Sequence, residues 1–222
     1  MTALRAVLFD LDGTLLDTAP DMIGALNALR TENQLGALPA ARVRPAVSHG
    51  SSRLVQLGFP DAIDQRFVAL QRRFLEIYAA RLSAETRLFE GMDRVLEQLA
   101  SRRLAVGIVT NKPAHLTEPL LDNLGLRGRF ACIVSGDSLP ERKPHPLPML
   151  HAAALAGAAP EECLYVGDAE RDVQAAHGAG MQALVATYGY LGEDEDWRIW
   201  GADGFIERPL DLIAWLGRRG SA

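Results

Sequence analysis

Five short apolar runs constrain this chain more than any other feature. Residues 4–9, 104–110, 131–135, 163–167 and 183–187 are rich in Val, Ile and Leu and lack apolar–polar alternation. A strand in a one-faced antiparallel sheet alternates, whereas a parallel strand covered on both faces does not. Helical patterns lie between the runs. Residues 92–102 put Val95, Leu96 and Leu99 on one face, 113–124 opens at Pro113 and stops before Gly125, and 170–177 and 209–216 end at Gly178 and Gly217. Prolines at helix starts and glycines after helix ends are the expected punctuation. Strand and helix in alternation predict an α/β fold, a Rossmann-like parallel sheet flanked by helices, with right-handed crossovers.

One block breaks the alternation. From roughly residue 18 to 88 there is no convincing strand, and 21–31 and 62–82 read as helices. Phe67, Leu70, Phe74, Leu75 and Tyr78 recur at helical spacing, which fits an internal helical core better than a cofactor box. The expected organisation is therefore a core of 1–16 and 89–222 with a helical insertion at 17–88. A length of 222 residues suits one or two domains.

Composition closes off other classes. Apolar residues make up 48% and charged residues 23%, as in an ordinary globular chain. With 23 basic and 28 acidic residues the net charge is −5, which offers no basic footprint for nucleic acid. No run approaches the roughly 18 apolar residues of a membrane span. The first nine residues are too short an apolar stretch for a signal peptide, and Asp10 and Asp12 follow at once, so a cytoplasmic location is expected. Cys132 and Cys163 sit in apolar runs and read as reduced core thiols.

The chemistry gathers where the apolar runs end. Asp10, Leu11, Asp12, Gly13, Thr14 and Leu15 follow the first run directly. Ligands of open parallel sheets bind at the carboxyl ends of the strands. Two aspartates so close raise a pKa or require a cation, and Gly13 permits the tight turn that aims both at one place. The bland alternative is a solvated acidic turn. After the 163–167 run come Asp168 and, one helical turn on, Asp172; the alternative there is that Asp168 only caps the next helix. Carboxylates without patterned His or Cys suit Mg²⁺ better than Zn²⁺ or copper. Thr110, Asn111 and Lys112 leave the 104–110 run with groups able to hold an anionic oxygen. Lys143, among Pro144, Pro146 and Pro148, is a point charge suited to phosphate. Alone, the last two signals are a common strand exit and a surface lysine. Their order along the chain, at successive strand ends, makes the set specific.

These stretches resemble the haloacid dehalogenase superfamily of phosphohydrolases, over the whole chain. The four motifs match at Asp10 to Leu15, Thr110, Lys143 and Gly167 to Asp172, and the helical block matches the family's four-helix cap. The resemblance implies that Asp10 is a nucleophile forming an aspartyl-phosphate and that Asp12 is the acid and base. It implies that Asp10, Asp168 and the Asp12 carbonyl hold Mg²⁺, with Asp172 supporting the metal through water. Thr110, the Asn111 amide and Lys143 would then hold the phosphoryl oxygens. Family dehalogenases lack the acid that Asp12 supplies. The phosphonate-cleaving branch needs a cap lysine, and there is none before Lys112. Within the superfamily, residues 15–21, 109–113 and 187–190 are similar to the phosphoglycolate phosphatase group. The last of these stretches, with 200–203, also resembles the N-acetylmuramic acid 6-phosphate phosphatases. His145 departs from the acidic or small residue often found two after the lysine.

The expected substrate is a small phosphorylated metabolite, and the protein a monomer or homodimer without nucleic-acid or membrane partners. The cap loop of Val47, Ser48, His49, Gly50 and Ser51 is expected over the site together with Gly13. Arg53 reads either as a partner for a substrate carboxylate or as a surface charge, and His49 as a ligand or a helix-start packing residue. His115, His151 and His177 read as surface or packing residues. The alternatives to hydrolysis are a phosphosugar mutase and a non-catalytic binder on the same fold.

Overall fold

The apolar runs become the strands of a parallel sheet because each is buried on both sides. The computed structural model describes residues 3–192 and 195–219. In chain order the elements are β1 (Ala6–Phe9), β2 (Leu16–Asp17), α1 (Ala19–Glu32), α2 (Ala40–Val43), α3 (Gly50–Gly58), α4 (Asp64–Ala80), β3 (Arg87–Leu88), α5 (Met92–Ser101), β4 (Ala105–Val109), α6 (Ala114–Asn123), β5 (Cys132–Val134), α7 (Leu147–Leu155), β6 (Cys163–Gly167), α8 (Glu170–Gly178), β7 (Gln182–Ala186), β8 (Gly204–Ile206) and α9 (Asp211–Arg219). The six-stranded sheet runs β5-β4-β1-β6-β7-β8, all parallel. β1 lies at its centre, with Phe9 opposite Ile108 on one side and Val166 on the other.

Successive side chains of a strand point to opposite faces, and the two faces have separate cores. Val7, Phe9, Ile108, Leu164, Val166, Leu184 and Ala186 join the core that includes Val95, Leu96, Leu99, Leu120 and Leu212 from α5, α6 and α9. Ala6, Leu8, Cys132, Cys163, Tyr165, Ala183 and Val185 join the other, against Met149 and Ala152 of α7 and Val173 and Ala176 of α8. Both cysteines are free and buried, and burial pushes each thiol up to about 11. They are inert core groups, as expected.

Two findings differ from the sequence expectation. A strand does occur before residue 89: Arg87–Leu88 pairs antiparallel with Leu16–Asp17 where the chain leaves and re-enters the sheet. The edge strand β8 is the other addition, and Gly204 and the exposed Phe205 give it no buried run. Between β2 and β3 lie α1 to α4. Met22, Ala25, Leu26 and Leu29 of α1 share an interior with Leu70, Phe74 and Tyr78 of α4, so the aromatics do form a helical core. The fully buried Asp21 accepts from the Thr86 amide and hydroxyl, each at 2.8 Å, and from the Glu85 amide at 3.0 Å. Those donors replace the water that the carboxylate gives up and tie the start of α1 to the segment leading into β3. Among the described residues no helix is long and apolar enough to cross a membrane.

Candidate active site

Three adjacent strands deliver the key side chains. Thr110 follows β4, Asp10 follows β1 and Asp168 follows β6, and these strands are neighbours at the sheet centre. Asp10 stays anchored to the sheet, because its amide donates to Val166 O at 2.9 Å. The Leu11 amide donates to Asp10 Oδ1 at 2.7 Å, which fixes that carboxylate.

Lys143 reaches the centre from farther away. Its loop leaves β5 at the sheet edge and must cross β4. Asn111 supplies the anchor: its side-chain amide donates to Lys143 O at 2.9 Å, and its side-chain oxygen accepts from Lys143 N at 3.1 Å. The Asn111 side chain is thus occupied, while its backbone N–H has no protein acceptor among the described residues. Lys143 Nζ lies 3.0 Å from Asp10 Oδ1 and 2.7 Å from Asp172 Oδ1. It also donates to the Tyr165 hydroxyl at 2.8 Å, which donates in turn to Val109 O at 2.7 Å. Tyr165 is a strand residue that no sequence signal marks as functional. Its inward register can be read from the position of β6, but not its hydroxyl's partner.

Asp10, Asp168 and Asp172 each present an oxygen within 4.8 Å of the others, and all three are buried. Three carboxylates facing one lysine leave an excess of negative charge out of water. Burial, then the charges of Asp10 and Asp172, push Asp168 up to about 7. Burial raises Asp172 as well, against the pull of Lys143. A divalent cation relieves that repulsion, and the all-oxygen donor set suits a hard ion. Asp172 also accepts from the Ala169 amide at 3.0 Å, at the start of α8, so the capping role considered for Asp168 falls to Asp172. Gly13 has φ +82°, and a side chain there would collide with the Asp168 carboxylate.

The helical block contributes from above. Ser48 Oγ donates to Asp168 Oδ2 at 2.6 Å, and Arg171 donates to Ser48 O at 2.7 Å. The Tyr190 amide is a further donor to Asp168, at 3.0 Å. Gly50 turns the chain with φ +77° into α3. His49 is exposed and pairs with Glu195 at 3.0 Å, which links the block to the segment after β7. Arg53 is not brought to the carboxylates. It is exposed in the wall of an outward groove that His49, Gln56 and Phe67 also line. Its neighbours Leu54 and Val55 are the buried residues of that turn, and the arginine is left to solvent.

Asp12 takes an unexpected partner. Lys112 Nζ lies 3.1 and 3.2 Å from its two oxygens and donates to the Tyr78 hydroxyl of α4 at 2.8 Å. The ammonium also sits 4.6 Å from the centre of the Tyr78 ring. Burial works against the charge on Lys112, but Asp12 and Tyr78 outweigh it and hold the amine above the usual lysine value. Thr110 Oγ1 accepts from the Lys112 amide at 3.2 Å, which orders the turn between them. His145 is exposed, and its Nδ1 accepts from the Leu147 amide at 3.1 Å, away from the carboxylates.

A family model described as haloacid dehalogenase-like hydrolase matches residues 7–186. The chain is 45% identical over 208 residues to the phosphoglycolate phosphatase of Xanthomonas campestris pv. campestris, covering 94% of each chain. It is 38% identical over 210 residues to the N-acetylmuramic acid 6-phosphate phosphatase of Pseudomonas putida, again covering 94% of each. The crystal structure of a predicted phosphoglycolate phosphatase from Haemophilus somnus 129PT superposes with a TM-score of 0.86. The identity there is 29%, over 97% of this chain and 99% of that one.

Proposed function

The chain belongs to the haloacid dehalogenase-like hydrolases, and on that premise we propose that it hydrolyses a small phosphomonoester, 2-phosphoglycolate first, through an aspartyl-phosphate on Asp10. The observation that carries this reading is the Asp10 carboxylate at the end of β1, held by Lys143 at 3.0 Å inside a cluster of three acids. Leu11 N–H and Lys143 both hold Oδ1, which orients the carboxylate for attack.

In the first half-reaction an Asp10 oxygen bonds to phosphorus, the ester P–O bond breaks, and Asp12 gives its proton to the leaving oxygen. In the second, Asp12 takes a proton from water, the water oxygen bonds to phosphorus, and Asp10 is released with inorganic phosphate. Lys143, the Thr110 hydroxyl and the Asn111 N–H hold the phosphoryl oxygens as their charge redistributes. Asp10, Asp168, Asp172 and the Asp12 carbonyl would hold Mg²⁺, which supplies positive charge beside the phosphoryl group. Ser48 and Gly50 belong to the loop that covers the group, with His49 fastening it to Glu195. The helical block then acts as a cap that excludes water.

The test is phosphate release with Mg²⁺ from 2-phosphoglycolate, N-acetylmuramic acid 6-phosphate, hexose phosphates and nucleotides, with Asp10→Asn as control. One ester well above the rest, and a silent but folded Asp10→Asn, are the expected results. Substantial turnover by Asp10→Asn removes the covalent mechanism. A retained bisphosphate in place of free phosphate favours a mutase. Similarity to the Pseudomonas putida enzyme makes N-acetylmuramic acid 6-phosphate the second candidate.

A further inference from the structure

The chain carries 23 basic residues, and only Lys112 and Lys143 are lysines. Both are buried, at 7% and 2% exposure. Arginine serves a surface as well as lysine does. Lysine kept twice, both times inside, marks positions that need a compact ammonium rather than a planar fork. Lys143 has its place between Asp10 and Asp172. Lys112 has no part in the mechanism above, yet its charge has been taken out of water at considerable cost.

Tyr78 supplies the second observation. It is fully buried and arrives from α4, on the opposite side of the site from the sheet. Its hydroxyl accepts from Lys112, and among the described residues its own O–H proton has no acceptor. A buried donor without an acceptor is costly and rare. Here it stands beside an ammonium, next to the residue that would protonate the leaving oxygen. The ammonium already pairs with Asp12, and the free O–H beside it suits one further anionic oxygen, brought by a ligand.

We infer that Lys112 and Tyr78 determine specificity by reading a substrate carboxylate borne on the same carbon as the phosphate ester. The carboxylate takes the Tyr78 O–H and shares the Lys112 ammonium with Asp12. This rests on the phosphatase reading above and narrows its substrate class to phosphorylated 2-hydroxy acids. The spacing supports a short arm. Asp12 meets the ester oxygen directly in that mechanism, and Lys112 Nζ is only 3.1 Å beyond Asp12. N-acetylmuramic acid 6-phosphate carries its carboxylate on a lactyl arm, many bonds from its ester, and does not fit. Lys112 thereby takes the role that the sequence offered to Arg53, which faces outward.

The test compares kcat/KM for 2-phosphoglycolate and for 2-hydroxyethyl phosphate, its neutral analogue, in wild type, Lys112→Gln and Tyr78→Phe. The readout is the ratio between the two esters. Lys112→Gln is expected to lower it about 100-fold, mostly through KM, because a site built to pair a polar group discriminates strongly against its absence. Tyr78→Phe keeps the ring over Lys112 and is expected to lower the ratio about 10-fold, the scale of one hydrogen bond. With only two lysines, ¹³C-lysine labelling of the Asp10→Asn protein gives one signal for each. 2-Phosphoglycolate should shift the Lys112 signal and 2-hydroxyethyl phosphate should not. Equal losses on both esters, or equal shifts, overturn this inference and leave the phosphatase reading standing. A wild type silent toward every ester in the presence of Mg²⁺ overturns both.

Discussion

Replacing Tyr165 with Phe isolates the device that holds Lys143. The ring stays in the core, so packing is kept. What is lost is one hydroxyl that serves two buried groups, Lys143 Nζ at 2.8 Å and Val109 O at 2.7 Å. Tyr165 is fully buried, so bulk solvent does not reach the groups it serves. Leaving a buried polar group without its partner costs about 1–3 kcal/mol, so the two together bracket about 2–6 kcal/mol. Lys143 keeps Asp10 and Asp172, which favours the lower half, about 3 kcal/mol by the same scale. For a chain of this size that lowers Tm by about 6–12 °C. Lys143 should also sit less firmly over the phosphoryl group, and kcat should fall about 10-fold with KM little changed. Thermal unfolding by circular dichroism and phosphate release measure the two effects. A Tm within about 1 °C of wild type, on the scale of an ordinary surface change, would refute the claim that this hydroxyl is a structural tether.

Three further outcomes follow from the same geometry. Asp168, at about 7 against an ordinary 3.8, binds its proton more tightly folded than unfolded. Its contribution is therefore full below the unfolded value and lost as pH rises through about 7. With divalent ions chelated, the urea midpoint should fall between about pH 4 and 7 and level off above that, and added Mg²⁺ should raise it more at the alkaline end; a Mg²⁺ effect independent of pH would contradict this. Gly13→Ala combines an unfavourable φ of +82° with a clash against Asp168. It should cut kcat/KM by on the order of 100-fold, as a misplacement of about 1 Å does, and near-wild-type turnover would show that the site tolerates the added methyl. Arg53→Ala should leave kcat/KM within about twofold, as a solvent-facing change does, whereas a large rise in KM would return Arg53 to the site.

The sheet is legible in the sequence because burial on both faces removes alternation, and that signature is hard to mistake. Where burial is one-sided it fades, so Gly204–Ile206, with Phe205 49% exposed, leaves no such mark. Periodicity places Tyr78 in a helical core, and its ring is there. The pattern cannot register that its hydroxyl leaves that core for Lys112. Arg53 misleads through proximity along the chain, because a residue beside a loop over the site can still face away once a helix begins. The aspartates are legible because two carboxylates crowded at a strand end repel each other unless a cation or a proton intervenes. Lys112 is visible as part of the Thr110 turn, yet its target lies a hundred positions earlier, at Asp12, a distance no local pattern spans.

The reciprocal bond between the Asn111 side chain and the Lys143 backbone has a consequence for engineering. It pins the far end of the β5 loop, while the Ser135 amide donates to Ser138 Oγ at 2.9 Å and pins the near end. Between those two fastenings Pro140, Glu141 and Arg142 are exposed. A guest peptide placed after Pro140 need not displace Lys143, and each doubling of loop length costs only about 0.6 kcal/mol in closure entropy. The segment that delivers the buried ammonium is thereby also a port where a tag or sensor can be spliced into the chain.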